Sequence, residues 1–195
     1  MRSHGFGTSA AVLFVAVLVG TVLVGGMPRG LAAPPEDFTV ESPTHGTKFQ
    51  WSQAKGKIVV LHFLLKTECP ICLRHTHAYA RLAEKQPDVV HLFLKPDSVD
   101  EIKKWSSRLS REELADQPVI YRDPDAALAK RFKIPDGYKF HGQVVHYPAL
   151  VVLDGSGQEL FRYVGKNNSD RLSTDDFVAR LAKARPAESR RNKQQ

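Results

Sequence analysis

The chain has 195 residues, 42% of them hydrophobic and 25% charged, and a formal net charge of +7. That charge lies at the ends: Arg2 and Arg29 give +2 to residues 1–33, and the tail 185–195 carries +3, leaving +2 for the body. A nearly neutral body gives no electrostatic footprint for nucleic acid, and two cysteines in all exclude both a disulfide framework and a four-cysteine zinc site.

Residues 1–33 read as an export signal. Arg2 makes the start weakly positive, Ala10 to Val24 is uncharged and apolar, and Gly30 and Ala32 place small residues before a cleavage point. Counted from Thr8 to Gly26, the apolar run also nears the length that spans a bilayer. Cleaved signal peptide and uncleaved anchor are therefore both open. Either route puts the rest of the chain outside the cytoplasm, periplasmic or otherwise extracytoplasmic, where disulfide chemistry is at home. The body, 34–184, is the length of one domain. The tail, 185–195, lacks apolar periodicity and reads as a disordered basic end; contact of that end with anionic lipid is the membrane-linked alternative.

Within the body, Phe38-Thr39-Val40 and Lys48 to Trp51 read as short strands around a Ser42–Gly46 turn. Ile58 to Leu65 is apolar on both faces, the pattern of a central strand covered on both sides. A helix is predicted from Pro70 to about Gln86, with Ile71, Ala78 and Leu82 on its apolar face. Val89–Leu94 is the next strand, and Ser98 to Glu101 is a capping box opening a helix to about Leu109. A strand at Val119–Tyr121, a helix over Asp125–Phe132, a hairpin of Ala149–Leu153 with Glu159–Tyr163, and a helix from Ser173 to about Ala184 complete the chain. Strands alternating with helices predict an α/β sandwich of three layers.

The chemistry is concentrated in Cys69-Pro70-Ile71-Cys72, which joins the central strand to the first helix. Pro70 suits a first helical position. The free N–H groups and positive dipole end of a helix start favour a thiolate over a thiol. Cys72, one turn on, is placed to resolve a mixed disulfide formed by Cys69. A static bridge is the structural alternative, but so small a loop stabilises little.

These segments resemble the thioredoxin-like superfamily, in particular its alkyl hydroperoxide reductase/thiol-specific antioxidant (redoxin) branch. The resemblance spans about residues 36–183. It rests on Phe38–Phe63, on the Cys69–Cys72 motif, and on Asp123-Pro124-Asp125 with the Val152–Gly157 turn. It implies a thioredoxin-like sandwich with a central mixed sheet and an amino-terminal β-hairpin, and an exported thiol-disulfide oxidoreductase acting on protein thiols and disulfides. The redox-active Cys69–Cys72 pair would need no cofactor, and an upstream electron donor or acceptor is implied. It further implies that Pro148 follows a cis bond and packs on the motif, presenting the backbone of Tyr147 to substrate. His62 falls close to the buried acid that moves protons for the second cysteine in thioredoxins; a packed core histidine is the other reading. His75, three residues after Cys72, could face it.

Two departures from this pattern set the alternatives. Peroxidases of the branch carry Pro-x-x-x-Thr-x-x-Cys, whereas Thr67 stands two residues before Cys69, not three. A peroxiredoxin-like peroxidase is therefore the second alternative. Glu68 stands where thioredoxins have tryptophan, and a carboxylate there opposes thiolate formation. The first alternative is resemblance to the copper-delivery proteins of cytochrome oxidase assembly, with Cys69, Cys72 and His146 as ligands. The long stretch Lys133–Tyr147 is expected beside the cysteines, shaping partner choice.

Overall fold

The structure is a computed structural model that describes residues 36–66, 69–109, 117–140 and 143–185. The signal or anchor, Thr67, Glu68 and residues 186–195 lie outside the described residues. No helix among the described residues is long and apolar enough to cross a membrane.

A seven-stranded mixed sheet is built from β1 (Thr39–Glu41), β2 (Lys48–Gln50), β3 (Ile58–Phe63), β4 (Val89–Lys95), β5 (Ile120–Arg122), β8 (Ala149–Leu153) and β9 (Glu159–Val164), in the order β2-β1-β5-β4-β3-β8-β9. β3 runs parallel to β4 and antiparallel to β8, so it is central, as its two apolar faces predict. Its odd residues Val59, Leu61 and Phe63 join one core with Phe38, Trp51 and Phe132. Its even residues turn to the opposite face, where Val60 packs with Cys72, Tyr79, Ile102, Trp105 and Phe177. That second face is covered by α1 (Pro70–Glu84), α2 (Val99–Leu109) and α4 (Thr174–Ala184), while α3 (Ala127–Arg131) supplies Leu128 and Ala129 to the first.

Local sequence sets the helix boundaries. The predicted capping box forms, with the Ser98 N–H donating to Glu101 Oε2 at 2.9 Å and the Glu101 N–H to Ser98 Oγ at 3.4 Å. The Asp176 N–H donates to Ser173 Oγ at 3.1 Å, capping α4. The helix expected over Asp125–Phe132 is shorter, because Asp125 and Ala126 adopt left-handed φ values of 54° and 53° and divide a 3₁₀ turn from α3. β6 (Asp136–Phe140) and β7 (Gln143–His146) pair as a separate two-stranded ribbon.

Three further expectations are corrected. Ala78 is exposed, and the buried face of α1 is Cys72, Thr76, His77, Tyr79 and Ala80. The Tyr147–Pro148 bond is trans. Around it the Tyr147 N–H donates to the Pro135 carbonyl at 3.0 Å, and the Gly165 N–H donates to the Pro148 carbonyl at 2.8 Å. These bonds hold the segment between β7 and β8 at both of its residues. Arg185 does not begin a disordered tail: it is buried, with its Nη1 2.9 Å from Asp88 Oδ2.

Candidate active site

Cys69 is the N-cap of α1 and Pro70 follows at the helix start. The two cysteines are disulfide-bonded, with Cα atoms 5.1 Å apart. The Cys72 N–H donates to Cys69 Sγ at 3.0 Å, so the helix start already offers a donor to that sulfur. Cys69 is partly accessible and Cys72 is fully buried, which gives the two sulfurs different roles toward an incoming substrate.

The third member of the site has no local signal in the sequence. Arg171, in the loop between β9 and α4, points Nη2 at Cys72 Sγ (3.3 Å) and lies 3.8 Å from Cys69 Sγ. Its neighbours hold it there. Tyr163 Oη donates to Asp170 Oδ1 at 2.5 Å, the Lys166 N–H donates to Asp170 Oδ2 at 2.9 Å, and Tyr79 Oη, from α1, donates to the Leu172 carbonyl at 3.1 Å. Residues 170 and 172 are thus tied down on either side of Arg171. Gly165 belongs to the same packing, because a Cβ there would fall 2.6 Å from the Asp170 carbonyl oxygen and 2.8 Å from Pro148 Cγ. Burial lowers the guanidinium pKa to about 10, because a lone cation is poorly solvated there.

Beneath the motif lies a row of three imidazoles. His62 Nδ1 is 3.0 Å from His75 Nε2, and His62 Nε2 is 2.9 Å from His91 Nδ1. His62 is wholly buried on β3, stacked on Phe93 and edge-on to Tyr79. Burial holds His62 well below the usual histidine range, and takes His75 to about 3 and His91 to about 4, with the Arg171 charge a second cause at His75. All three are neutral at physiological pH. His75, Pro148, Tyr163 and Arg171 line one small cavity, so Pro148 does approach the site.

The stretch after Lys133 lies here too. Tyr138, on β6, packs on the apolar cluster that includes both cysteines, and its hydroxyl pKa is raised by burial and by Asp97. A buried ion pair ties β4 to the chain just after β3: Lys95 Nζ is 3.2 Å from Asp97 Oδ2, donates to the Leu65 carbonyl at 2.8 Å, and sits 4.7 Å over the Trp105 ring. His146 ends β7. Its ring packs edge-on to Phe63, its Nδ1 donates to the Tyr147 carbonyl at 2.6 Å, and it lines a cavity of about 220 Å³ with Lys66, Lys130 and Asp136. Both backbone polar groups of Tyr147 are therefore engaged within the chain. Among the described residues no three His, Cys, Asp or Glu side chains are grouped to hold a metal.

This is a thioredoxin-like fold carrying a helix-start disulfide. Residues 30–158 match the model of the AhpC/TSA family, and the chain belongs to that family. No curated protein matches the sequence. Among solved structures, the exposed lipoprotein thioredoxin of Streptococcus pneumoniae is similar, at 20% identity over 76% of this chain and 99% of that one (TM-score 0.59). A peroxiredoxin-like protein from Aquifex aeolicus aligns at 11% identity over 80% of this chain and 87% of that one (TM-score 0.64). A secreted Mycobacterium tuberculosis disulfide oxidoreductase aligns at 20% identity over 75% and 95% (TM-score 0.54). At these identities the likeness is one of fold.

Proposed function

We infer that the protein is an exported thiol-disulfide oxidoreductase that exchanges disulfides with protein substrates through Cys69 and Cys72. The observation that carries this reading is a disulfide at the start of α1 with the Arg171 guanidinium against its sulfurs. In the reduced protein, the partly accessible Cys69 thiolate attacks a substrate disulfide. A Cys69–substrate bond forms, the substrate S–S bond breaks, and one substrate thiolate leaves. Cys72, buried beside it, then attacks Cys69 Sγ, regenerating the internal disulfide and releasing the second substrate thiolate. The oxidised protein runs the same steps backward with a dithiol. Arg171 stabilises whichever sulfur is anionic, which neither a neutral thiol nor a disulfide requires. Export is supported by the uncharged apolar run at residues 10–24 and the small residues before position 33.

The test is equilibration of the purified protein in glutathione buffers, with trapping of the Cys69 adduct in Cys72→Ser. A reversible two-electron couple and a mixed disulfide on Cys69 are expected. Consumption of hydrogen peroxide at rates exceeding disulfide exchange would move the reading to the peroxidases of the family, and a pair that never reduces would make it a structural bridge.

A further inference from the structure

We propose that the cavity lined by His146 is a recognition pocket for a tyrosine or tryptophan side chain of the protein substrate. The proposal rests on the exchange reaction above and names a feature by which that reaction selects its partner. β3, β4 and β5 run parallel. The cavity, about 220 Å³, lies beyond their carboxyl ends, where Lys66 follows β3, Pro96 follows β4 and Asp125 follows β5. That is where open α/β sheets bind ligands. The β6–β7 ribbon supplies another wall with Asp136, Val145 and His146. Lys66 stands three residues before Cys69, and three residues of chain span at most about 11 Å. An extended substrate bonded to Cys69 through its cysteine reaches the cavity with a side chain about two to four residues away.

The lining decides what fits. Ile134, Val145 and His146 are buried, so the inner part of the cavity is apolar apart from one ring. His146 is only 4% exposed, and its Nδ1 donates to the Tyr147 carbonyl. A neutral imidazole with its proton on Nδ1 has a bare Nε2, which is an acceptor. Burial, with Lys95 and Arg171 nearby, lowers the His146 pKa and keeps the ring neutral. Among the described residues no group donates to Nε2. The rim sets Lys66 and Lys130 against Asp125 and Asp136. Those charges cancel, so the rim draws in neither an anion nor a cation, and Lys95 and Arg171 oppose a cationic side chain further. The occupant is then a neutral, apolar body with one donor at its tip. Serine and threonine have the donor without the body, and phenylalanine has the body without the donor. Tyrosine and tryptophan have both.

The backbone keeps this space open. Asp125 and Ala126 hold left-handed φ values of 54° and 53°, so α3 begins only at Ala127 and both residues line the cavity instead. Asp123 holds the kink, accepting from the Leu128 N–H at 2.7 Å and the Ala129 N–H at 3.0 Å. Two consecutive non-glycine residues in that region carry a strain that folded chains keep mainly at ligand clamps and active sites. One ring separates the cavity from the cysteines: Phe63 packs edge-on to His146 and also lines the small cavity that holds Pro148 and Arg171. The pocket makes and breaks no bond. It holds the substrate while Cys69 attacks, so its contribution falls on KM rather than kcat.

The experiment follows reduction of peptides, each joined through its one cysteine to a thiol reporter, with tyrosine, tryptophan, phenylalanine or alanine about two to four residues from that cysteine. The best tyrosine peptide is expected to have a KM about tenfold below that of its phenylalanine counterpart, the effect of leaving one buried acceptor unpaired, at similar kcat. Tryptophan should match tyrosine, and alanine should be weaker than phenylalanine. In His146→Phe the tyrosine-to-phenylalanine ratio should fall to near unity. In parallel, the ¹⁵N resonance of His146 Nε2 in the wild-type protein should shift on titration with p-cresol and stay in place with toluene, a readout that needs no variant to fold. Equal KM values for tyrosine and phenylalanine at every position overturn the substrate anchor, and a His146 resonance unmoved by p-cresol overturns the pocket itself. Failure to reduce any disulfide, that of oxidised glutathione included, overturns the exchange reaction instead, and the p-cresol titration then judges the pocket on its own.

Discussion

Replacing Arg171 with glutamine should make the disulfide harder to reduce. The guanidinium lies 3.3 Å from Cys72 Sγ and 3.8 Å from Cys69 Sγ. At an effective dielectric of about 20, unit charges about 4 Å apart interact by roughly 4 kcal/mol. The arginine is only half-buried, so solvent screens part of that, and charged hydrogen bonds typically contribute about 1.5–3 kcal/mol. The smaller range is the one to use. It corresponds to one to two pKa units on the thiol, since each unit is about 1.4 kcal/mol. The charge favours only the reduced, thiolate-bearing form, so its removal moves the potential of the couple downward by about 30–60 mV. The assay is the glutathione equilibrium at pH 7, read by alkylation. Arg171→Lys should recover part of the shift, and Arg171→Gln should move the inflection of the alkylation rate upward by about one to two pH units, so that the rate climbs through neutrality. A potential for Arg171→Gln within a few millivolts of wild type would show that the contact has no electrostatic consequence.

The remaining predictions concern stability and specificity. His75 and His91 stay neutral in the fold down to about pH 3 and about pH 4, but titrate near 6.5 when unfolded. The unfolded state therefore binds protons first as the pH drops: stability is complete above about pH 6.5 and falls by about 1.4 kcal/mol per pH unit for each histidine down to about pH 4. Urea midpoints that stay flat from pH 6.5 to 4.5 would refute this. Lys95→Met alone leaves Asp97 buried without its counter-ion and should cost about 3–5 kcal/mol, whereas Lys95→Met with Asp97→Leu should cost less, as measured by thermal unfolding; additive losses would count against the pairing. Gly165→Ala should slow resolution by Cys72 more than it lowers the melting temperature, because the new Cβ pushes on the loop that carries Arg171. Shortening the β6–β7 ribbon at its tip should impair reduction of protein disulfides and spare a small disulfide; equal losses in the two assays would remove any role for the ribbon in partner choice.

The parts of the fold that rest on short-range rules were legible in the sequence. Ile58 to Leu65 could only be a central strand, Ser98–Glu101 could cap a helix locally, and Cys69-Pro70 could mark a helix start without help from elsewhere. What stayed hidden depends on groups that meet across the chain. Ala78 was assigned to the buried face of α1 by apolarity, yet Tyr79 takes that face because its hydroxyl finds the Leu172 carbonyl 93 residues away. His62 and His75 were each visible as single histidines near the motif. His91 completes the row only because β4 pairs alongside β3 and sets Val60 opposite His91. Arg171 carried no local signal, since its position is fixed by Asp170, Tyr163 and Tyr79 from three different elements.

The arrangement answers a conflict that the motif creates. Burying Cys72 completely protects the resolving sulfur and packs it into the core, but burial also disfavours the thiolate that resolution requires. A helix start relieves this chiefly at Cys69, whose sulfur accepts the Cys72 N–H. Cys72 sits within the first turn and needs its own provision. Arg171 supplies charge at 3.3 Å, and it is held by a loop that is itself tied to α1 through Tyr79. A thiol in this setting still has to part with a proton inside an apolar core. The groups on that side of it are imidazoles rather than carboxylates, and a carboxylate there would have paired with Arg171 and drawn it off the sulfur. Neutral histidines leave the guanidinium free to face Cys72: His75→Asp should draw Arg171 off the sulfur and lower the potential, whereas His75→Asn should leave the potential near the wild-type value.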